Sequence, residues 1–262
     1  MAASDTAFEA ELLDVAVEAA RAAGTELLAR WRHPLQVGTK STPTDPVTEA
    51  DLGAERAIRE VLGTRRPQDS ILGEEGGETG DGELRWVVDP LDGTVNYLYG
   101  LPTFAVSVAV EDADGGIAAA VLDPVQDEIF TATRSSAPLC NGEPIAASGC
   151  EEIGRALVAT GFGYDPAVRI VQARVAARVI PMARDIRRAG AAALDMCCCA
   201  AGRLDAYYER GVKLWDIAAG SLICERAGLL VLALEGDGVT PSGVLVAAPA
   251  LVEQLAPLIA GA

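Results

Sequence analysis

The sequence predicts an α/β fold built in layers, with mixed sheets. Helix-period and strand-like stretches alternate along most of the 262 residues. Half of the residues are apolar, enough to bury a sizeable core as one large domain or two intimate halves. Around Asp112-Ala-Asp-Gly-Gly two strand-like runs meet in a turn that makes a hairpin, so part of the sheet is antiparallel.

Residues 5–31 place Phe8, Leu12, Leu13, Val15, Val17, Ala20, Leu27 and Leu28 at helical spacing, which predicts an amphipathic first helix. A polar stretch follows, Gly38-Thr-Lys-Ser-Thr-Pro-Thr-Asp-Pro. A second helix then runs from about Thr48 to Leu62, and Pro67 closes the connection. Strand signals dominate next. Ser70-Ile-Leu-Gly is short and apolar. Leu84–Val88, Phe104–Val110, Ile117–Leu122 and Glu128–Thr133 are rich in branched or aromatic residues between Gly, Asp and Pro turns. After about residue 150 the pattern becomes strand Leu157–Thr160, helices 166–180 and 190–201, strand 205–209 and helix 215–227. Strands 229–234 and 243–248 and a last helix 249–260 complete the chain. A soft boundary near residues 135–155 divides an N-terminal half, 1–145, from a C-terminal half, 146–262.

Charge narrows the function. With 38 acidic against 21 basic residues the formal net charge is −17, which disfavours nucleic acid and anionic membrane surfaces as partners. The N-terminus lacks the basic and apolar regions of a signal peptide, and no apolar run is long enough to span a bilayer. Three of the six cysteines are consecutive, Cys197 to Cys199, which suits a reducing compartment better than a disulfide framework. A cytoplasmic protein is the expectation. The single histidine, His33, falls in Trp-Arg-His-Pro at the end of the first helix, where an exposed cation is expected. One histidine excludes a triple-His zinc site and leaves any Ser-His-Asp or Cys-His arrangement this residue alone. The chemistry must therefore rest mainly on carboxylates, hydroxyls and metals.

Three acidic clusters fall at strand ends or a helix start. In Gly73-Glu-Glu-Gly-Gly the adjacent side chains of Glu74 and Glu75 point to opposite faces of an extended chain, so only one readily enters a given site. In Asp89-Pro-Leu-Asp92-Gly-Thr-Val-Asn96, Pro90 and Gly93 suggest that the strand ends at Asp89 and turns at once, letting the two aspartates converge. Gly93 and Thr94 would then bring backbone N–H groups and a hydroxyl beside them, suited to phosphate and water. In Trp215-Asp-Ile-Ala-Ala-Gly220, Asp216 sits where a helix begins, a place an N-cap also takes, and the small residues permit close packing. Converging carboxylates repel one another unless protonated or neutralised by cations. Hard oxygen ligands describe magnesium rather than zinc.

These segments, Gly-Glu-Glu at 73–75, Asp-Pro-Leu-Asp-Gly-Thr-Val-Asn at 89–96 and Trp-Asp-Ile-Ala-Ala-Gly at 215–220, resemble the three signatures of the inositol monophosphatase family in order and spacing. The similarity extends to Asp45-Pro-Val-Thr-Glu-Ala-Asp51, Arg187-Arg-Ala-Gly-Ala-Ala and Asp205-Ala-Tyr-Tyr-Glu209, and so spans nearly the whole chain. The resemblance implies a layered α-β-α-β-α sandwich, shared with fructose-1,6-bisphosphatase. It implies two or three Mg²⁺ ions held by Glu74, Asp89, Asp92, Asp216 and the Leu91 carbonyl. Asp51 and Thr94, with Glu74, would serve the attacking water. Gly93 and Thr94 would meet the phosphate, and Gly190, Ala191, Ala192 and Glu209 would line the polyol pocket, beside Glu74, Leu91, Asp92 and Asp216. Where relatives commonly carry Ser or Thr, this chain has Ala191, which removes one hydroxyl contact. The implied reaction is in-line attack of metal-activated water on a small phosphate monoester, most simply inositol 1-phosphate, with no covalent enzyme intermediate. Lithium inhibition and a homodimer are implied as well.

Two other phosphatase patterns fit the residues less well. Cys197 and Arg203 fit the Cys-x5-Arg spacing of cysteine-dependent phosphatases, but Leu194-Asp-Met-Cys-Cys-Cys-Ala-Ala-Gly-Arg reads as a small-residue helix without the preceding strand. Asp89-Pro-Leu-Asp92 places its second Asp one residue too late for a haloacid-dehalogenase-type loop. Within the family, histidinol phosphate, fructose 1,6-bisphosphate and 3′-phosphoadenosine 5′-phosphate are alternative substrates, and a non-catalytic interaction protein is the alternative of another class. Near Glu209 the sequence offers only Arg210 and Lys213 as cations, which favours a neutral polyol, with the ammonium of histidinol as runner-up. Aromatic residues make up 5% of the chain, which weakens the nucleotide option.

Overall fold

The computed structural model describes residues 3–33, 37–39, 46–237 and 240–260. Most of the polar stretch before the second helix, including Asp45, lies outside the described residues. The chain begins with α1 (Ala3–Arg30), then a two-stranded ribbon of β1 (Val37–Thr39) and β2 (Pro46–Thr48), then α2 (Glu49–Arg65). Next come β3 (Ser70–Gly73), β4 (Gly77–Thr79), β5 (Arg85–Asp92), the short α3 (Thr94–Leu98), β6 (Ala105–Asp112), β7 (Gly115–Asp123), β8 (Glu128–Thr133), β9 (Leu139–Cys140) and β10 (Glu143–Pro144). These eight strands form one sheet in the order β10-β9-β8-β7-β6-β5-β3-β4. The rest of the chain runs β11 (Leu157–Thr160), α4 (Pro166–Val179), β12 (Asp185–Arg187), α5 (Ala192–Ala200), β13 (Ala206–Arg210), α6 (Leu214–Arg226), β14 (Leu230–Leu234), β15 (Gly243–Ala247) and α7 (Pro249–Ala260). Its five strands form a second sheet, β12-β11-β13-β15-β14. Both sheets mix parallel and antiparallel pairs, and β6 and β7 make the hairpin expected at Asp112.

Three apolar clusters set the layers. Leu12, Val15, Ala19 and Leu27 of α1 and Ala54, Ile58 and Leu62 of α2 pack on Trp86, Val88, Val106, Val108 and Leu122 of the large sheet. The opposite face of that sheet, with Ala105, Ala109, Val121 and Phe130, meets Met196 and Cys197 of α5 and Leu222 and Ile223 of α6. The same two helices cover Tyr207, Val244 and Val246 of the small sheet, whose far face holds α4 and α7 through Val175, Val179, Leu251 and Leu255. The result is the α-β-α-β-α sandwich. Its strands alternate as the period of two demands, each face supplying one cluster. The central helix layer is tight because a Cβ on Gly220 of α6 would lie only 2.9 Å from Cβ of Met196 on α5, so the small residues after Asp216 do permit close packing.

One local expectation is corrected. The strand through Trp86 does not end at Asp89 but continues to Asp92, and its pairing with β6 slips between Asp89↔Ser107 and Asp92↔Ala105. Three steps on β5 oppose two on β6, which is a β-bulge, and Pro90 sits there because it has no N–H to give the ladder. Side chains three apart on a regular strand diverge. The extra residue restores the alternation, so the two carboxylates converge by a bulge rather than by a turn. Sequence periodicity also missed the short strands β1, β2, β4, β9, β10 and β12 and the five-residue α3, none long enough to show a period.

Candidate active site

The site is assembled where the start of α2, the end of β3, the bulge of β5, the start of α5 and the start of α6 come together. At the start of α2, Thr48 is the N-cap and its hydroxyl accepts from the backbone of Ala50 and Asp51. Asp51 returns the bond in a capping box, its Oδ2 accepting from Thr48 N at 2.9 Å and from Thr48 Oγ at 2.5 Å. Its other oxygen lies 3.0 Å from the hydroxyl of Thr94, which is also 3.1 Å from the Leu91 carbonyl. Thr94 has one proton, so it serves one of these acceptors at a time. Asp51 and Thr94 are both buried.

Thr94 follows Gly93, whose φ of +91° is a left-handed conformation that glycine adopts without strain. A Cβ there would lie 3.0 Å from the Thr103 carbonyl and 3.2 Å from that of Gly190. The turn is therefore pressed against the segment before α5. Asn96 fastens the two together, its Nδ2 donating to the carbonyls of Thr103 at 2.7 Å and Ala189 at 2.9 Å.

Glu74 and Glu75 form the turn between β3 and β4. Nothing local in the residues signals what holds this turn. It is Glu55 of α2, whose carboxylate accepts from Glu75 N at 2.7 Å and Gly76 N at 2.8 Å. Arg59, one turn further on, donates to Glu55 at 2.7 Å and to the Gly77 carbonyl at 2.8 Å. Both side chains lie so close to Gly73 and Gly76 that a Cβ at either glycine would clash with Glu55 at 2.6 and 2.5 Å. Glu74 is the residue of the pair that reaches Asp89.

Asp89, Asp92 and Asp216 form the electrostatic centre. Burial first, then the charges of Glu74, Asp92 and Asp216, hold the carboxyl of Asp89 well above the usual range. Asp92 is raised well up by burial and then by Asp216, against the pull of backbone N–H groups at the start of α5. One of these is explicit, Ala193 N donating to Asp92 Oδ2 at 2.7 Å. Asp92 thus does for α5 what no side chain at its own N-cap, Ala191, can do. Asp216 is the third residue of α6 rather than its N-cap, and its Oδ2 accepts from Lys213 N at 2.6 Å. Burial pushes it up to about 6.

The carboxyls of Glu74 and Asp216 adjoin that of Asp89 closely enough to act on its ionisation. Among the described residues no three His, Cys, Asp or Glu side chains are already closed around one metal position. The donor set nevertheless fits a hard divalent cation. It is all oxygen, it is partly or wholly buried, and its members disfavour one another's ionisation until positive charge is supplied.

The wall expected to face the non-reacting end of a substrate is built from β13 and the segment before α5. The carboxylate of Glu209 packs on Gly161, where a Cβ would stand 1.7 Å from its Oε2, and it accepts from the Tyr207 hydroxyl at 2.8 Å. Burial raises Glu209, while Tyr207 and Arg188 pull it down. Gly190 is left-handed at φ +93° and packs against Gly93, while the buried Ala191 and Ala192 lead into α5. Of the two cations expected near Glu209, Arg210 is turned away. Arg210 points to the other face of β13, where its Nη1 donates to the carbonyls of Glu235 at 3.0 Å and Pro241 at 2.9 Å. Arg188 and the buried Asp195, neither assigned from the sequence, face Glu209 instead.

The remaining candidates fall away from chemistry. His33 is exposed just past α1. Cys197 and Cys199 are buried in α5 with thiols pushed well up by burial, and Arg203 pairs with Glu128 at 2.5 Å, so no cysteine-phosphatase loop exists here. Trp86 is a core residue whose Nε1 donates to Asp69. No helix among the described residues is long and apolar enough to cross a membrane.

Comparison with known proteins matches this geometry. A family model described as Inositol monophosphatase family matches residues 9–262. The Inositol-1-monophosphatase SuhB of Mycobacterium tuberculosis is 44% identical over 231 residues, which cover 84% of this chain and 79% of that relative. The Nus factor SuhB of Pasteurella multocida is 38% identical over 251 residues, covering 93% of this chain and 94% of the relative. Among solved structures, the extragenic suppressor protein suhB of Bartonella henselae has a TM-score of 0.89 at 34% identity, covering 95% of this chain and 98% of that one.

Proposed function

The chain belongs to the inositol monophosphatase family and is a phosphoric monoester hydrolase, and on that premise we propose that it hydrolyses inositol 1-phosphate with magnesium. The observation that carries the reading is the meeting of Glu74, Asp89, Asp92 and Asp216, from three separate segments, beside the Asp51–Thr94 pair. Glu74, Asp89, Asp92, Asp216 and the Leu91 carbonyl would hold the metal. When bound, magnesium neutralises these carboxylates, draws in the phosphate dianion and lowers the pKa of water.

The chain's own residues do the rest. When the Thr94 hydroxyl donates its hydrogen bond to Asp51, its oxygen can accept a hydrogen bond from a water and aim that water at phosphorus, and the proton the water gives up would pass through Thr94 to Asp51. Thr48 donates to Asp51 from backbone and hydroxyl, so the acceptor that orients Thr94 does not swing away. The Gly93–Thr94 turn meets the phosphate. Glu209 accepts from substrate hydroxyls, held in place by Tyr207 and Gly161. The oxygen of the water would form a new bond to phosphorus as the P–O bond to the polyol breaks, the polyol oxygen would take up a proton from solvent, and no bond to the protein would form. The same reading extends to two or three metal ions, to lithium inhibition, and to a cytoplasmic homodimer.

The name Nus factor carried by the Pasteurella relative favours a second reading, a role as an interaction protein. Loss of the acidic ligands would have pointed there, and Glu74, Asp92, Thr94 and Asp216 are all present. The test is phosphate release from inositol 1-phosphate, histidinol phosphate, fructose 1,6-bisphosphate and 3′-phosphoadenosine 5′-phosphate, with magnesium and with chelator. Magnesium-dependent turnover preferring inositol 1-phosphate supports the proposal. A preference for another of the four overturns the substrate, and no release from any overturns hydrolysis in favour of the second reading.

A further inference from the structure

Two short stretches of chain are pinned to one another on both sides. Asp92 and Asn96 flank the Gly93–Thr94 turn, and Ala189 and Ala193 flank the stretch Gly190-Ala-Ala192. On one side Asp92 Oδ2 accepts from Ala193 N at 2.7 Å. On the other, Asn96 Nδ2 donates to the Ala189 carbonyl at 2.9 Å. Between the pins the two glycines pack together, since a Cβ on Gly93 would lie 3.2 Å from the Gly190 carbonyl. A Cβ on Gly190 would in turn stand 3.1 Å from Asn96 Nδ2.

The two pins differ in kind. Asp92 sits in the acidic cluster, so any change there disturbs more than the joint. Asn96 is buried and commits both protons of its amide nitrogen to backbone carbonyls, the second to Thr103 at 2.7 Å. The Thr103 carbonyl is also the atom that a Cβ on Gly93 would meet at 3.0 Å. One amide therefore holds the turn against the residues before β6 and against the segment before α5. No other residue type of this size carries two such donors on one atom.

We propose that Asn96 is a positioning residue that fixes the distance between the phosphate turn and the wall at 190–192, and so favours substrates whose hydroxyls rest against that wall. The inference rests on the hydrolase reading above and deepens it by naming what keeps the two ends of the site in register. A phosphate seated on the Gly93–Thr94 turn presents the rest of its molecule to 190–192 at a separation set by the two pins. A shift of about 1 Å is enough to lose a hydrogen bond to a bound hydroxyl. A phosphate ester without hydroxyls makes no such bond and feels the shift less.

The experiment is the ratio of kcat/KM for inositol 1-phosphate to that for phenyl phosphate, whose ring carries no hydroxyl, at saturating magnesium. It compares the native protein with Asn96→Ala and Asn96→Asp, with circular dichroism confirming that each is folded. In Asn96→Ala the ratio falls about tenfold, mainly through a higher KM for inositol 1-phosphate. Asn96→Asp keeps the shape of the side chain but has no N–H to donate, and its ratio falls at least as far. A ratio within about twofold of native in either folded variant overturns the proposal, as does an equal loss on both phosphates. A native protein that turns over neither phosphate defeats the hydrolase reading instead. Amide hydrogen exchange then decides whether Asn96 holds the joint: exchange across 186–195 is faster in Asn96→Ala than in the native protein, while that of α7 stays the same. Unchanged exchange across 186–195 overturns the proposal.

Discussion

The hydroxyl of Thr94 lies 3.0 Å from Oδ1 of Asp51, a contact between residues 43 apart that joins the first turn of α2 to the turn after β5. Each partner is held by its own local structure, Asp51 by the capping box with Thr48 and Thr94 by the left-handed Gly93. The pair is therefore fixed before any substrate arrives. Such preorganisation is what a residue that aims a water requires.

Asp51→Asn keeps the size of the side chain and can still accept from Thr48, but it exchanges one carboxylate oxygen for a donor. If that amide faces Thr94, the hydroxyl loses its acceptor. We expect kcat to fall about 10²-fold or more with little change in KM. Thr94→Val should fall by a similar amount, and the double variant should be no worse than the poorer single one. Independent, multiplying effects would contradict the pairing.

Glu55 touches no substrate in this account, yet it holds the turn that carries Glu74. Glu55→Ala removes the acceptor for Glu75 N and Gly76 N and leaves Arg59 without its carboxylate partner. The expected outcome is a magnesium requirement raised about tenfold, in the range seen when the support of a metal ligand is lost, with Glu55→Gln intermediate. An unchanged magnesium titration would show that the turn does not need this brace.

Gly161→Ala tests the polyol wall. The added Cβ would stand 1.7 Å from Glu209 Oε2, so the carboxylate must leave its place beside Tyr207. KM for inositol 1-phosphate should rise about tenfold while kcat changes less, since Glu209 binds rather than reacts. A loss confined to kcat would contradict that role.

The reach of the sequence is clear from these residues. Glu74, Asp89, Asp92 and Asp216 could be picked out because acidic clusters fall at strand ends and a helix start in a chain with one histidine, and Asp51 and Thr94 because their segments resemble a known family. The layers were legible because helices and strands of eight or more residues display their period. What escaped detection acts across the chain. Glu55 and Arg59 read as ordinary exposed-face charges on a helix, since nothing local says that a turn 20 residues away will dock on them. Arg188 and Arg210 are each one arginine among many until the fold decides which way each points. The residue types at the Pro90 bulge also make turns, so residue type alone does not separate the two.

Asp195 predicts a dependence of stability on pH. Burial, and then the charge of Glu209, push its carboxyl up to about 7, with Arg188 opposing. Because the folded-state pKa exceeds the unfolded value of about 4, its contribution is fully present below about pH 4 and is lost as pH rises through its folded value. Asp195→Asn does not ionise and escapes that loss. Its Tm relative to the native protein should therefore climb between pH 5 and pH 8, by roughly 2–6 °C. Parallel curves for the two proteins would contradict a raised pKa at this site.

The central claim is that the buried acidic cluster works only when a divalent cation neutralises it, and Asp92→Asn tests it most directly. Asparagine can still accept from Ala193 N, so the start of α5 keeps its bond while the cluster loses one negative charge. The measurement is phosphate release from inositol 1-phosphate against magnesium concentration, for the native protein and the variant, with circular dichroism confirming that both are folded. The account predicts no release without magnesium, saturable release by the native protein, and a loss of about 10³-fold in the folded variant. Native release that persists in chelator, or a variant that matches the native protein at every magnesium concentration, would contradict it.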